Sequence, residues 1–114
     1  MRLTQTEVNS LVLAITPFLQ ERNAELRLYG SRVNDNLKGG DLDLLLLVEN
    51  TDVAHILQLQ KHNLLAAMKK HLGERKIDLK VATHASIASD TFLTLIFPES
   101  MILHTWHDEK IAKK

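Results

Sequence analysis

Cysteine is absent from this sequence of 114 residues. The chain therefore cannot form disulfides, thiolate zinc sites or a cysteine nucleophile. It also lacks any run of about 18 apolar residues, the length that a transmembrane helix requires. The opening residues, Met1 to Glu7, become polar too early for a secretory signal. These absences lead us to expect a soluble, cytoplasmic protein.

An excess of charge of either sign is absent as well. Fourteen Lys and Arg residues balance fourteen Asp and Glu residues, so the formal net charge is zero. No general attraction to nucleic acid or to an anionic membrane is expected, and neither is predicted as a partner. The remaining composition is ordinary, with 45% hydrophobic and 25% charged residues, as in globular domains. The length predicts one domain over residues 1–114.

Apolar residues at helical spacing predict three helices. The first follows a Thr-Gln-Thr-Glu capping box, and a proline inside it should kink it or end it early. The second should begin at a capping side chain and end at a glycine. The predicted helices cover residues 5–21 with Pro17 inside, a long stretch from a cap at Thr51 or Asp52 to Gly73, and residues 92–96 before Pro98.

Alternating or continuously apolar segments predict the strands. The nearly unbroken apolar run over residues 42–48 is typical of a central strand that is buried on both faces. Residues 25–29 and 76–82 alternate, and residues 101–106 form either an edge strand or an extended tail. The order of elements predicts an α+β domain with α/β-like character, in which helices flank a small mixed sheet.

Two carboxylates, Asp41 and Asp43, stand at the start of the most apolar predicted strand. Side chains two residues apart in a strand lie on the same face, and carboxylates this close repel each other unless a cation lies between them. Hard oxygen ligands of this kind hold pairs of magnesium ions about 3.5–4 Å apart in sites of phosphoryl and nucleotidyl transfer. The spacing therefore predicts a magnesium site.

A glycine, a serine and an arginine follow the first predicted strand. Gly30 lets the backbone approach a ligand closely, and the Ser31 hydroxyl with the following amides can donate hydrogen bonds to phosphate oxygens. Arg32 adds a planar, permanent cation. These residues predict a phosphate-binding turn.

A third carboxylate, Asp78, lies between apolar neighbours on another predicted strand. Burying a carboxylate without a partner is costly, so its position requires a reason. Beside Asp41 and Asp43 it could complete the metal site and accept a proton from an attacking hydroxyl. Lys80 shares the face of Asp78 and could neutralise phosphate charge or pair with the carboxylates.

In this order, these motifs resemble those of the DNA polymerase β-like nucleotidyltransferase superfamily, and the short length resembles its minimal nucleotidyltransferase (MNT) branch. The resemblance covers residues 26–81. It implies the polymerase β-like fold, ATP as substrate with its β- and γ-phosphates at Gly30 and Ser31, and two magnesium ions held by Asp41 and Asp43. It also implies that Asp78 binds the catalytic metal and activates the acceptor hydroxyl.

Two functions of different classes follow from these residues and the resemblance. The first is transfer of a nucleoside monophosphate, AMP from ATP, to a protein hydroxyl. The resemblance adds a small helical HEPN-type toxin as partner, with this chain as the antitoxin. The second is a catalytically silent protein that neutralises or scaffolds a partner by contact. Transfer to a small molecule is less favoured, because such enzymes usually carry an acceptor-binding domain.

Several features leave both functions open. The apolar residues 101–103 and Trp106 could belong to the core or to a partner surface, and a homo-oligomer stays open. His104 and His107 lack acidic or cysteine partners at a recognised spacing, so a structural or surface role is favoured over a metal site.

Overall fold

The structure is a computed structural model that describes residues 3–20, 22–30, 42–73 and 76–107. Along these residues, one helix is followed by two strands, two helices, a strand, two short helices and a last strand. The five α-helices are α1 (Gln5–Leu19), α2 (Thr51–Leu59), α3 (Lys61–Leu72), α4 (His84–Ile87) and α5 (Thr91–Ile96), and the strands are β1 (Ala24–Tyr29), β2 (Leu42–Val48), β3 (Ile77–Thr83) and β4 (Met101–Trp106). The predicted α+β class, a small mixed sheet flanked by helices, is confirmed.

The four strands form one sheet in the order β3-β2-β1-β4. Strand β1 runs antiparallel to both of its neighbours, whereas β2 and β3 are parallel. A right-handed parallel crossover needs a connection of a dozen or more residues, and α2 with α3 supplies it. Residues 101–106 form an edge strand beside β1, and not the extended tail that the sequence also allowed.

Each face of the sheet has its own apolar layer. On one face, the even-numbered apolar residues of β1 and β2 pack with α1, α2 and α3 in the main core. On the other face, Leu45 and Leu47 of β2 pack with Leu93 of α5 and with Tyr29 in a smaller cluster. Strand β2 is therefore buried from both sides, which explains its nearly continuous apolar sequence.

Helix α1 begins as the sequence predicts. The Thr4 hydroxyl accepts a hydrogen bond from the Glu7 amide, and the Glu7 carboxylate accepts one from the Thr4 amide, which completes the capping box. The predicted end at residue 21 is two residues late. Helix α1 ends at Leu19, two residues after Pro17, because Gln20 takes the left-handed conformation with φ 53°.

The predicted long helix is two helices. The chain leaves helical geometry at Gln60, whose φ is −100° and ψ is 12°. The Gln60 amide is shared between the carbonyls of Ile56 and Leu57, and the break lets α2 pack on the sheet while α3 packs on α1. The cap is Asn50, whose side chain accepts a hydrogen bond from the Val53 amide at 2.9 Å, so the predicted caps at Thr51 and Asp52 were wrong. Gly73 ends α3 with φ 90°, as predicted.

A short helix after β3 is absent from the predictions. Helix α4 is held by a second capping box, in which Thr83 and Ser86 exchange hydrogen bonds between side chains and amides. Helix α5 then begins at Asp90, whose carboxylate accepts a hydrogen bond from the Leu93 amide. These two helices cover much of the second face of the sheet, where Phe92 of α5 packs against Tyr29, but they leave Asp78 exposed.

Candidate functional site at the edge of the second sheet face

Three polar side chains form a row across three neighbouring strands. Tyr29 of β1 is the register partner of Asp43 in β2, and Asp43 is the register partner of Asp78 in β3. Register partners lie on the same face, with neighbouring strands roughly 4.7–4.9 Å apart. The sheet therefore places the carboxylates of Asp43 and Asp78 side by side on one face.

The apolar neighbours of each carboxylate decide which face it occupies. Leu42 and Leu44 are fully buried in the main core, so Asp43 between them must point to the opposite face. Ile77 and Leu79 orient Asp78 in the same way. The Leu42 amide also donates a hydrogen bond to the Lys76 carbonyl at 2.9 Å, which extends the ladder past the carboxylates and fixes their register.

The backbone of Gly30 lies against the side chain of Asp43. Its φ is +82°, and a Cβ atom at this position would lie 2.5 Å from Asp43 Oδ2. The residue therefore needs glycine for two reasons, because other residues rarely adopt this conformation and because the carboxylate occupies the space. The close approach of Gly30 to a phosphate ligand stays a prediction; the structure shows its close approach to the Asp43 carboxylate.

Tyr29 shares the electrostatic environment of the two carboxylates. Burial is the main cause that raises the pKa of Tyr29 to about 12, and the negative charges of Asp78 and Asp43 raise it further. The phenol therefore stays protonated at neutral pH and can donate a hydrogen bond to a carboxylate or a phosphate oxygen.

A cavity of about 280 Å³ opens beside Asp78. Two cations and an aromatic ring contribute to it, since the Lys80 ammonium lies 5.2 Å from the centroid of the Phe92 ring and Lys61 enters from the start of α3. The Phe92 ring in turn meets the Tyr29 ring edge to face at 5.8 Å. The cavity is lined by Tyr29, Lys61, Asp78, Leu79, Lys80 and Phe92.

The structure brings together four of the predicted site residues: Gly30, Asp43, Asp78 and Lys80. The other three, Ser31, Arg32 and Asp41, lie outside the described residues. Within the described part of the chain, no group of three acidic or histidine side chains could hold a metal ion. Asp43 and Asp78 nevertheless supply hard oxygen donors on one face, which is the donor type that magnesium prefers.

Sequence reasoning missed three residues of the site: Tyr29, Lys61 and Phe92. Tyr29 carried a weak signal, because it precedes Gly30 and alternates with the buried Leu28. Lys61 and Phe92 carried none, since only the packing of α3 and α5 brings them to Asp78. Tertiary contacts, not local spacing, define this side of the site.

The two histidines near the end of β4 lie far from this row in the fold. The His104 ring meets the Trp106 ring edge to face at 4.7 Å, and burial, followed by the charge of His107, lowers the pKa of His104. The Trp106 indole donates a hydrogen bond to the Thr16 hydroxyl at 2.9 Å. Trp106 therefore packs against the core, whereas Met101 and Ile102 are exposed on the edge strand.

No helix among the described residues is long and apolar enough to cross a membrane. Comparison with protein-family models, with curated proteins and with solved structures gives no significant match for this chain.

Proposed function

We propose that this chain is a magnesium-dependent nucleotidyltransferase that moves AMP from ATP onto a protein hydroxyl. One observation carries the proposal: Asp43 and Asp78 are register partners on parallel strands, and Gly30 turns with positive φ directly behind Asp43. The same three residues belong to the sequence motifs that resemble polymerase β-like nucleotidyltransferases. The fold supports the proposal because a mixed sheet carries both carboxylates on one face.

The proposed roles follow from position. Asp43 and Asp78, together with Asp41, would hold the magnesium ions, which when bound polarise the phosphate oxygens and offset their charge. Gly30 and Ser31 would cradle the β- and γ-phosphates, with Arg32 as a nearby cation. Asp78 is the exposed carboxylate of the pair, so it is the one that an acceptor hydroxyl can reach.

The proposed reaction is a single displacement at phosphorus. The acceptor oxygen forms a bond to the α-phosphorus, and the bond from that phosphorus to the bridging oxygen of pyrophosphate breaks. The Asp78 carboxylate takes the acceptor proton. The products are an adenylylated protein and pyrophosphate. The Tyr29 phenol, held protonated, would donate a hydrogen bond at this edge without competing as a base.

Labelled ATP provides the test. The protein is incubated with magnesium and ATP labelled in the α-phosphate, alone and with a small helical HEPN-type candidate partner, and transfer is followed by gel and by mass shift. Asp43→Asn and Asp78→Asn should each reduce transfer by about a hundredfold or more. Asp52→Asn, which changes an exposed carboxylate in the first turn of α2, serves as the matched control and should transfer at the wild-type rate.

The outcome also bears on a biological role as antitoxin. If the partner is a toxin that transfer inactivates, both carboxylate variants should fail to neutralise it while they still fold. Wild-type protein that labels no acceptor, despite binding the partner, would contradict the enzymatic proposal.

One observation favours a second candidate, a protein that neutralises or scaffolds a partner by contact alone. Strand β4 is an edge strand with no charged side chain over Met101–Trp106, and Met101 and Ile102 are exposed on it. Exposed apolar edges of this kind accept a strand from another chain. This candidate predicts that Asp43→Asn and Asp78→Asn neutralise a partner as well as the wild type does.

A further inference from the structure

We infer that the cavity beside Asp78 is an acceptor site that selects a protein segment in which carboxylates flank the hydroxyl residue. The inference rests on the proposed function for the chemistry, but the binding preference follows from the cavity itself. The positive charge and the apolar surface of the cavity come from Lys61, Lys80 and Phe92. None of these residues is part of the carboxylate row.

Position identifies the cavity as the acceptor side. Asp78 lines it, whereas Asp43 does not, and Gly30 lies on the Asp43 side of the row. Among the described residues, the cavity is lined by Tyr29 and Asp78 of the row but not by Asp43, the carboxylate that Gly30 contacts. A group seated in the cavity meets the outer, exposed carboxylate first.

Charge identifies what the cavity selects. Lys61 and Lys80 bring two positive charges, and Asp78 is the one acidic side chain among the described residues that line it. Two lysines against one carboxylate leave the lining with a net positive charge, which attracts anionic groups. Carboxylates next to the acceptor hydroxyl would complement the two lysines.

Exposed apolar residues indicate that the acceptor is a protein segment and not a small metabolite. Phe92 is 43% exposed and Leu95 is 74% exposed. They stand three residues apart in α5 and therefore share one side of the helix. This apolar strip begins in the cavity and continues beyond it, so a longer ligand can contact Leu95 while its hydroxyl residue reaches Asp78.

Binding of fluorescent peptides tests the inference without any transfer step. Three peptides of equal length carry a central tyrosine flanked by glutamates, by glutamines or by lysines. The glutamate peptide should bind about tenfold more tightly than the lysine peptide at low salt, because the ion pairs with the half-buried Lys61 and Lys80 contribute modestly each. Lys61→Glu should reverse the order of affinities. The variant should still fold, because a glutamate at the first position of a helix interacts favourably with the helix dipole.

Two matched controls isolate the cavity. Lys69→Glu makes the same charge change on an exposed residue near the other end of α3 and should keep the wild-type order. Leu95→Ala should weaken all three peptides several-fold, whereas Leu13→Ala, which truncates an exposed leucine of α1, should weaken none. Equal binding of the three peptides, or an order that Lys61→Glu leaves unchanged, would overturn the inference.

Parallel measurements separate this inference from the proposed function. Magnesium-dependent ATP binding by calorimetry and label transfer to the glutamate peptide are measured with the wild-type protein. A charge-selective cavity without ATP binding would refute the nucleotidyltransferase and leave the docking surface standing. ATP binding and transfer with no preference among the peptides would refute the docking surface alone.

Discussion

Replacing Gly30 by alanine should disturb both the stability and the carboxylate site, by amounts that the structure sets. An L-residue at φ +82° costs about 1–2 kcal/mol. The new Cβ atom would lie 2.5 Å from Asp43 Oδ2, whereas contacts under 3.0 Å are essentially never seen, so the carboxylate must move by about 0.5 Å or more. Displacement of a proposed metal ligand on this scale should weaken magnesium-dependent ATP binding by about tenfold to a hundredfold.

Gly73 provides the matched control for this variant. It also has positive φ, at 90°, with ψ −157°, and alanine there should cost about 1–3 kcal/mol. No atom lies within 4 Å of its added Cβ, so no carboxylate moves. Gly73→Ala should therefore lose stability on a similar scale through its backbone conformation and keep its magnesium-dependent ATP binding.

Two assays on the two variants test the reasoning. Urea denaturation followed by Trp106 fluorescence measures the free energy of unfolding, and calorimetry measures ATP binding with magnesium. Equal loss of ATP binding in both variants would show that general destabilisation, and not the displaced Asp43 carboxylate, is the cause. Unchanged stability of Gly30→Ala would refute the role assigned to its backbone conformation.

Two further predictions concern the same fold. Tyr29, the one tyrosine of the chain, should have a pKa of about 12 in the folded protein against the ordinary 10.0. The contribution of Tyr29 to the free energy of unfolding should therefore be complete below pH 10 and be lost between about pH 10 and 12. Near-UV phenolate absorbance measures the pKa, and a value near 10 would refute the burial argument. Asn50→Ala should lower the free energy of unfolding by about 1 kcal/mol, and Thr51→Ala should lower it clearly less. Thermal unfolding measures both, and the reverse order would support the cap at Thr51 that was predicted from sequence.

Much of the fold could be predicted because local patterns and tertiary structure agree. The apolar run of β2 predicted a strand buried on both faces, and the packing on each side of Leu44 and Leu45 confirms it. The capping box of α1 and the positive φ of Gly73 were equally local. Such features depend on a few neighbouring residues, so one sequence specifies them.

The errors arose where competing interactions decided the outcome. Asn50, Thr51 and Asp52 all have side chains that can cap a helix, and only the geometry of the turn selects Asn50. No proline or glycine marks the break at Gln60. The break allows α3 to pack on α1, so tertiary packing and not a local signal accounts for it. Neither choice is encoded in a short sequence window.

The sequence by itself determined that a carboxylate lies at the start of the most apolar strand and that Asp78 lies on the opposite strand face from Ile77 and Leu79, because side chains alternate along a strand. Only the tertiary structure decided that Asp43 and Asp78 are register partners and that Gly30 lies against the Asp43 carboxylate. It also decided that Lys61 and Phe92 line the same cavity as Asp78. Strand order, register and helix packing arise from contacts between residues far apart in the chain, and local spacing cannot specify them.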